Sequence, residues 1–348
     1  MSHDTPPTFR VLIVGAGAMG IVSGYHLRLA GAEVTFLVRP ERVEKLSRPQ
    51  VLYSYDDTDL KYLSGYRVLS DVTDAGDRTY DYVVVTLDGA STRSAEGTAL
   101  LNSLGNAVRG TAAVVVIGGI GLGLRQYCRA ALGLDEERVI SGTLGVLAHQ
   151  VAFTDLPVRP PTHPDVLARA DVAFRHCGGG GFAVEDRFPA VAERFKALYD
   201  GCGVSYCDVI DHNQFPPQVA LVFPIFAASE LMGWPPAAQF TDHKDTWALA
   251  VEAAREVASV DEYGAAGRTA AARLSGESLT RMLSDYEEKS LPLDWNAFNA
   301  FHHGGKVAQQ DLELLRDHVT AGERQGRPTV ALKQLIAELT AFRRRETV

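Results

Sequence analysis

The chain has 348 residues, 46% of them hydrophobic and 22% charged, which is enough apolar mass for two packed domains and too much for a disordered chain. A formal net charge of −9 argues against general affinity for nucleic acid or anionic membrane, so an anionic ligand has to be met by a local cluster of arginines. The four cysteines, Cys128, Cys177, Cys202 and Cys207, lack zinc-type spacing, which leaves no metal site and reduced thiols in a cytoplasm as the expectation. The first residues lack the charged and apolar regions of a signal peptide. The most apolar later stretch, Val219 to Trp234, is broken by Pro224 and Glu230 and reads as a buried helix, not a membrane span.

The first element is the most informative. Val11-Leu-Ile-Val14 is a buried-strand pattern, Gly15-Ala-Gly17-Ala-Met-Gly20 is a glycine turn, and Ile21 to Ala30 has helical rhythm. Strand, glycine turn and helix in that order make a dinucleotide site. Gly15 permits the tight turn, Gly17 lets backbone approach a pyrophosphate, and Gly20 removes a side chain where helix packs on strand. Ala18 and Met19 supply the first helical amides to the phosphates. The second strand, Glu33–Val38, ends in Arg39-Pro-Glu-Arg42 where an NAD site usually carries an acid. Guanidinium groups suit a 2′-phosphate, so the expected cofactor is NADP, with Glu41 leaving some NAD use open.

Two further near-continuous β-branched runs, Tyr82–Leu87 and Ala112–Ile117, read as parallel strands covered on both faces. Leu87-Asp88 and Gly118-Gly119, at their carboxyl ends, are expected to face the cofactor. Another extended segment starts at Val139. A Pro-rich stretch, Pro157 to Pro164, and Cys177-Gly-Gly-Gly-Gly181 then look like hairpin turns. Beyond about residue 190 the pattern is helical: Val191–Tyr199, Val219–Met232, Lys244–Ser259, Leu279–Tyr286, Lys306–Arg324 and Val330–Arg345. The expected plan is therefore α/β: a Rossmann-type doubly wound parallel sheet over residues 1–185, then an all-helical substrate or dimerisation domain over 186–348. Chemistry is expected in the cleft between them, and a homodimer is allowed.

These residues resemble the ketopantoate reductase (2-dehydropantoate 2-reductase) family. The resemblance rests on Gly15–Gly20, Arg39, Val85-Thr-Leu-Asp88, Gly118-Gly-Ile-Gly121, Val139-Ile-Ser-Gly-Thr143, Met282-Leu-Ser-Asp285 and Gly326-Arg-Pro-Thr329. It implies an NADPH-dependent reductase with a Rossmann domain and a helical domain. The departures are as informative. The family's first-domain lysine falls on Asp88 and its asparagine on Gly118. Its catalytic lysine falls on Phe215, and no lysine occurs between Lys196 and Lys244. The family's two helix asparagines fall near Val219 and Phe223, its serine on Arg281, and its carboxylate near Gln309 or Asp311. Ketopantoate is therefore not the expected substrate.

Reduction of a ketone leaves an alkoxide that needs a proton or a stabilising charge. The replacement candidates are His302 and His303, in Phe301-His-His-Gly-Gly-Lys306, with Asp294 or Asp311 to orient them. His212, beside Asp211 and before the helix without its lysine, is the second candidate. Paired histidines before Gly-Gly also suit an exposed helix start, and a loop histidine near Pro216-Pro217 also suits a surface turn. His26 and His149 read as packed residues, and Arg281 as a carboxylate-binding group or a surface ion pair. The leading expectation is an NADPH-dependent oxidoreductase reducing a carbonyl or imine compound bulkier and more apolar than ketopantoate, in a specialised biosynthetic pathway. The rivals are a redox-neutral isomerase or cyclase that keeps the nucleotide, and a non-catalytic NADP-sensing protein.

Overall fold

A computed structural model describes residues 9–178 and 180–346. The chain divides into two units: Met1–Gly119, Leu124–Thr154 and Pro161–Ile210 form the first, and Ile120–Gly123, Asp155–Pro160 and Asp211–Val348 the second.

The first unit is built on an eight-stranded sheet in the order Tyr206–Ile210, Gly180–Glu185, Val139–Leu144, Val114–Ile117, Tyr82–Val85, Arg10–Val14, Glu33–Leu37 and Arg67–Leu69. All neighbours are parallel except Gly180–Glu185 against Val139–Leu144. The central strands are continuous apolar runs because both faces are covered. Val11, Ile13, Tyr82, Val84 and Val116 pack on one side, and Leu12, Val14, Val83, Val85 and Val115 on the other. The doubly wound sheet is as expected, and it runs on past residue 185 because Tyr206–Ile210 pairs in parallel with Gly180–Glu185.

A second, four-stranded sheet, ordered Leu60–Leu63, Gln50–Ser54, Val172–His176 and Val146–Gln150, is not evident in the sequence. It corrects the reading of Cys177–Gly181 as a hairpin turn, because that segment carries the chain from one sheet to the other. This small sheet is fastened to the Ala18–Leu29 helix by a buried polar chain. His26 Nδ1 hydrogen-bonds the Tyr199 hydroxyl at 2.6 Å, and its Nε2 meets His176 Nε2 at 3.2 Å. His176 Nδ1 in turn bonds Asp56 at 2.6 Å.

In the second unit, among the described residues, there is no strand. The Phe223–Leu231, Lys244–Ala258, Ala308–Arg324 and Val330–Glu346 helices bury Ile225, Ala228, Ala250, Val257, Leu315 and Leu335 against one another. The apolar run expected as one helix over 219–232 is two, Phe215–Ala220 and Phe223–Leu231, because Pro224 suits the first turn of a new helix and not the interior of an old one. Among the described residues no helix is long and apolar enough to cross a membrane.

Four buried imidazoles give the fold a pH dependence. Burial, reinforced by His176, pushes His26 down to about 3. Burial takes His149 down to about 4 and, with His303 and Lys306, takes His302 down to about 3. His318 is lowered by the same cause. These groups stay neutral in the folded chain but take up protons near pH 6.5 when unfolded. Their contribution is therefore complete above about 6.5 and is lost as pH falls, each withdrawing up to ~1.4 kcal/mol per pH unit. Asp311, whose carboxyl burial raises, works in the opposite sense with one group against four. The melting temperature is expected to be level from pH 8 to 7 and to drop steadily below 6.5. A level profile down to pH 5 would contradict the neutral assignment.

Candidate active site

The glycine turn shows what each glycine is for. Gly15 has φ +100°, a conformation that disfavours any side chain. Its amide bonds Leu37 O at 3.0 Å, and the Thr86 hydroxyl donates to Val14 O at 2.9 Å, so three strand ends are tied to the turn. A Cβ on Gly20 would penetrate the Gly15 carbonyl oxygen. A Cβ on Gly17 would meet nothing within 4 Å, so the protein's own packing does not require that glycine. The Ala18–Leu29 helix that follows has no side-chain cap and no acid in its first turn. Among the described residues the amides of Ala18, Met19 and Gly20 thus start the helix without a capping side chain, which is the fit an anionic pyrophosphate needs.

The neighbouring turns are tight for the same reason. A Cβ on Gly118 would lie 2.9 Å from Val85 O, and one on Gly119 would lie 2.8 Å from Leu87 O. These glycines let two strand-end loops run side by side, and the asparagine that the resemblance places at residue 118 would collide with backbone. Asp88 caps the Gly89–Arg93 helix, accepting from Ser91 N at 2.7 Å and Ser91 Oγ at 2.6 Å. Beyond Glu33–Leu37, Arg39 is exposed and pairs with Glu41 at 3.0 Å. Arg42 and Lys45 line a water-sized recess against Ala16. Arg39, Arg42 and Lys45 all follow the Glu33–Leu37 strand.

In the second unit the sequence His302–Lys306 forms a π-helical turn between the Trp295–Phe301 and Ala308–Arg324 helices. Such turns recur at functional sites because they re-aim side chains that a regular helix would point elsewhere. Here His303 Nδ1 bonds Asp311 Oδ2 at 2.7 Å, with both side chains largely buried. The Phe226 ring stacks on His303 at 3.8 Å, and Phe223 meets it edge-on at 6.2 Å. Burial raises the Asp311 carboxyl, against the lowering effect of His303 and Arg343. Arg343 holds Glu230 through two bonds of 2.6 and 2.7 Å and donates a third to Ala308 O. Trp234 takes φ +57°, a strain of about 1–3 kcal/mol for a bulky residue. It is held by its amide on Ser229 O at 2.7 Å, and its ring lies over Gly304.

Of the sequence candidates, His303 and Asp311 are therefore brought together. His302 is next to them, stacked on Phe298 and kept neutral. Asp294 does not orient either histidine: it caps the Trp295–Phe301 helix and pairs with Arg159 at 2.5 Å. His212 is half-buried in the turn leading to Phe215–Ala220. Arg281 is an exposed partner of Glu277. Phe226, Trp234, Glu230 and Arg343 escaped sequence reading. Glu230 alone carried a signal, as a charge inside an otherwise apolar helix.

The family model described as ketopantoate reductase PanE/ApbA matches residues 11–154. No curated protein matches the chain by sequence. Among solved structures, a PanE/ApbA family ketopantoate reductase from Ralstonia eutropha JMP134 is 17% identical, with 98% of this chain and 100% of that chain covered and a TM-score of 0.68. The 2-dehydropantoate 2-reductase from Methylococcus capsulatus is 17% identical over 97% of each chain, with a TM-score of 0.66. A D-mandelate dehydrogenase solved with NADH and anilino(oxo)acetate is 13% identical over 98% of this chain and 100% of that one, with a TM-score of 0.65. The fold is that of the ketopantoate reductases.

Proposed function

We propose that the chain, whose residues 11–154 match the ketopantoate reductase PanE/ApbA family, is an NADPH-dependent oxidoreductase acting on a carbonyl or imine compound other than ketopantoate. The observation that carries the nucleotide half is the uncapped helix start beside Gly17, with Arg39, Arg42 and Lys45 at the end of the second strand. The observation against ketopantoate is the apolar character of Phe215, Val219 and Phe223, where the resemblance calls for lysine and amides.

When bound, the nicotinamide supplies the hydride to the electrophilic carbon. The protein's task is then the proton. Asp311 occupies His303 Nδ1, which fixes the ring and leaves Nε2 as the nitrogen that delivers a proton to a developing alkoxide or amide nitrogen. The buried carboxylate stabilises the imidazolium before transfer, and stacking on Phe226 limits ring rotation.

Binding titrations with NADPH and NADH, run beside a turnover screen of ketoacids, bulky ketones and cyclic imines, test this reading. Saturable NADPH binding with turnover of at least one compound supports it, and absence of nucleotide binding ends it. Arg39→Ser is expected to weaken NADPH roughly tenfold, about 1.4 kcal/mol, while NADH affinity stays level. An equal loss for both nucleotides would show that Arg39 does not read the 2′-phosphate.

A further inference from the structure

Asp311 is 6% exposed, yet only one of its oxygens is used. Oδ2 accepts from His303, while Oδ1 is buried with no hydrogen-bond partner among the described residues. A buried carboxylate oxygen without a donor carries a desolvation cost that folded proteins rarely leave uncompensated. The nearest guanidinium does not meet it, because Arg343 is engaged with Glu230 and Ala308 O. We propose that Asp311 Oδ1 is the docking point for a protonated nitrogen, an ammonium or iminium group, on the ligand of this site. The proposal rests on the reductase reading for what happens to that ligand, but not for its binding.

The charge count supports a cation. Asp311 and Glu230 place two carboxylates beside the guanidinium of Arg343, so with a neutral His303 these four side chains carry a net charge of −1. An anionic oxo acid would add a second, and an ammonium or iminium would cancel it. The walls suit the same ligand. Phe226 stacks on His303 and Phe223 meets it edge-on, and aromatic faces attract desolvated cations. Glu287 lines a separate water-sized recess that neither His303 nor Asp311 borders, and its Oε1 accepts from Ala237 N at 2.8 Å and Asn296 Nδ2 at 3.0 Å. Within the π-helical turn Gly305 is exposed, and a Cβ there would meet nothing nearer than 4.0 Å.

Calorimetric titration of the nucleotide-free protein at pH 7 with benzylammonium, benzyl alcohol and benzoate tests this directly. Benzylammonium is expected to bind at least tenfold more tightly than benzyl alcohol, with benzoate weakest. Asp311→Asn should reduce the ammonium to the affinity of the alcohol and leave the alcohol unchanged, while Glu287→Gln leaves both as in wild type. Equal affinities for amine and alcohol, benzoate binding tightest, an unaffected Asp311→Asn, or loss of amine binding in Glu287→Gln would each overturn the proposal. If Asp311→Asn shows no cooperative melt, the three-ligand comparison on wild type and Glu287→Gln decides. An NADPH titration of the same preparation reads the nucleotide assignment separately.

Discussion

Gly17→Ala is expected to melt with the wild type and to bind NADPH roughly tenfold or more weakly, a loss of at least about 1.4 kcal/mol. Gly17 has φ −71° and ψ −177°, extended backbone that alanine adopts without strain, and its Cβ would meet nothing within 4 Å. Folding therefore has no use for this glycine. Only a ligand brought against the helix start would feel the added methyl. Gly20→Ala is the contrasting variant, because its methyl would strike the Gly15 carbonyl, a backbone atom that cannot rotate aside. It should lose both stability, by ~1–3 kcal/mol, and nucleotide affinity. Thermal melts with and without NADPH separate the two. If Gly17→Ala binds NADPH like the wild type, no pyrophosphate lies at this turn.

That contrast also marks where sequence reading ends. Strand, turn and helix were legible because each is a local pattern: a β-branched run, glycines at fixed spacing, an apolar rhythm. Whether a glycine serves the fold or the ligand is set by what lies across the turn, and Thr86 and Leu87 are about seventy residues from Gly15. The second sheet was missed for a related reason. Gln50–Ser54 is short, and its partner Val172–His176 is more than a hundred residues on, so nothing local marks the pairing. At the histidine site the residue types were legible but the π-helical turn was not, and Asp294 and Asp311 looked equivalent as partners. The structure separates them because Asp294 is spent on a helix cap and on Arg159, while Asp311 faces His303 from one turn inside the next helix. The aromatic stack arises only when the Phe223–Leu231 helix packs on the π-helical turn, and the Glu230–Arg343 pair only when that helix meets Val330–Glu346.

His303→Ala is expected to lower turnover of a ketone by about 10²–10⁴-fold, the usual contribution of a positioned general acid, with a smaller change in the Michaelis constant. His302→Ala should cost far less, since burial keeps that ring neutral and Phe298 stacks on it. Because Asp311 acts through His303, the double variant His303→Ala/Asp311→Asn should be no slower toward a ketone than His303→Ala alone. Independent, additive losses would mean that the two side chains do not work as a unit. The substrate adds a second axis. A ketone needs a proton on its oxygen as the hydride arrives, whereas a preformed iminium becomes a neutral amine and needs none. His303→Ala should therefore spare an iminium while disabling the ketone, and Asp311→Asn should impair the iminium through binding. If His303→Ala slows both substrates alike, the imidazole acts by holding the pocket in shape and not by delivering a proton.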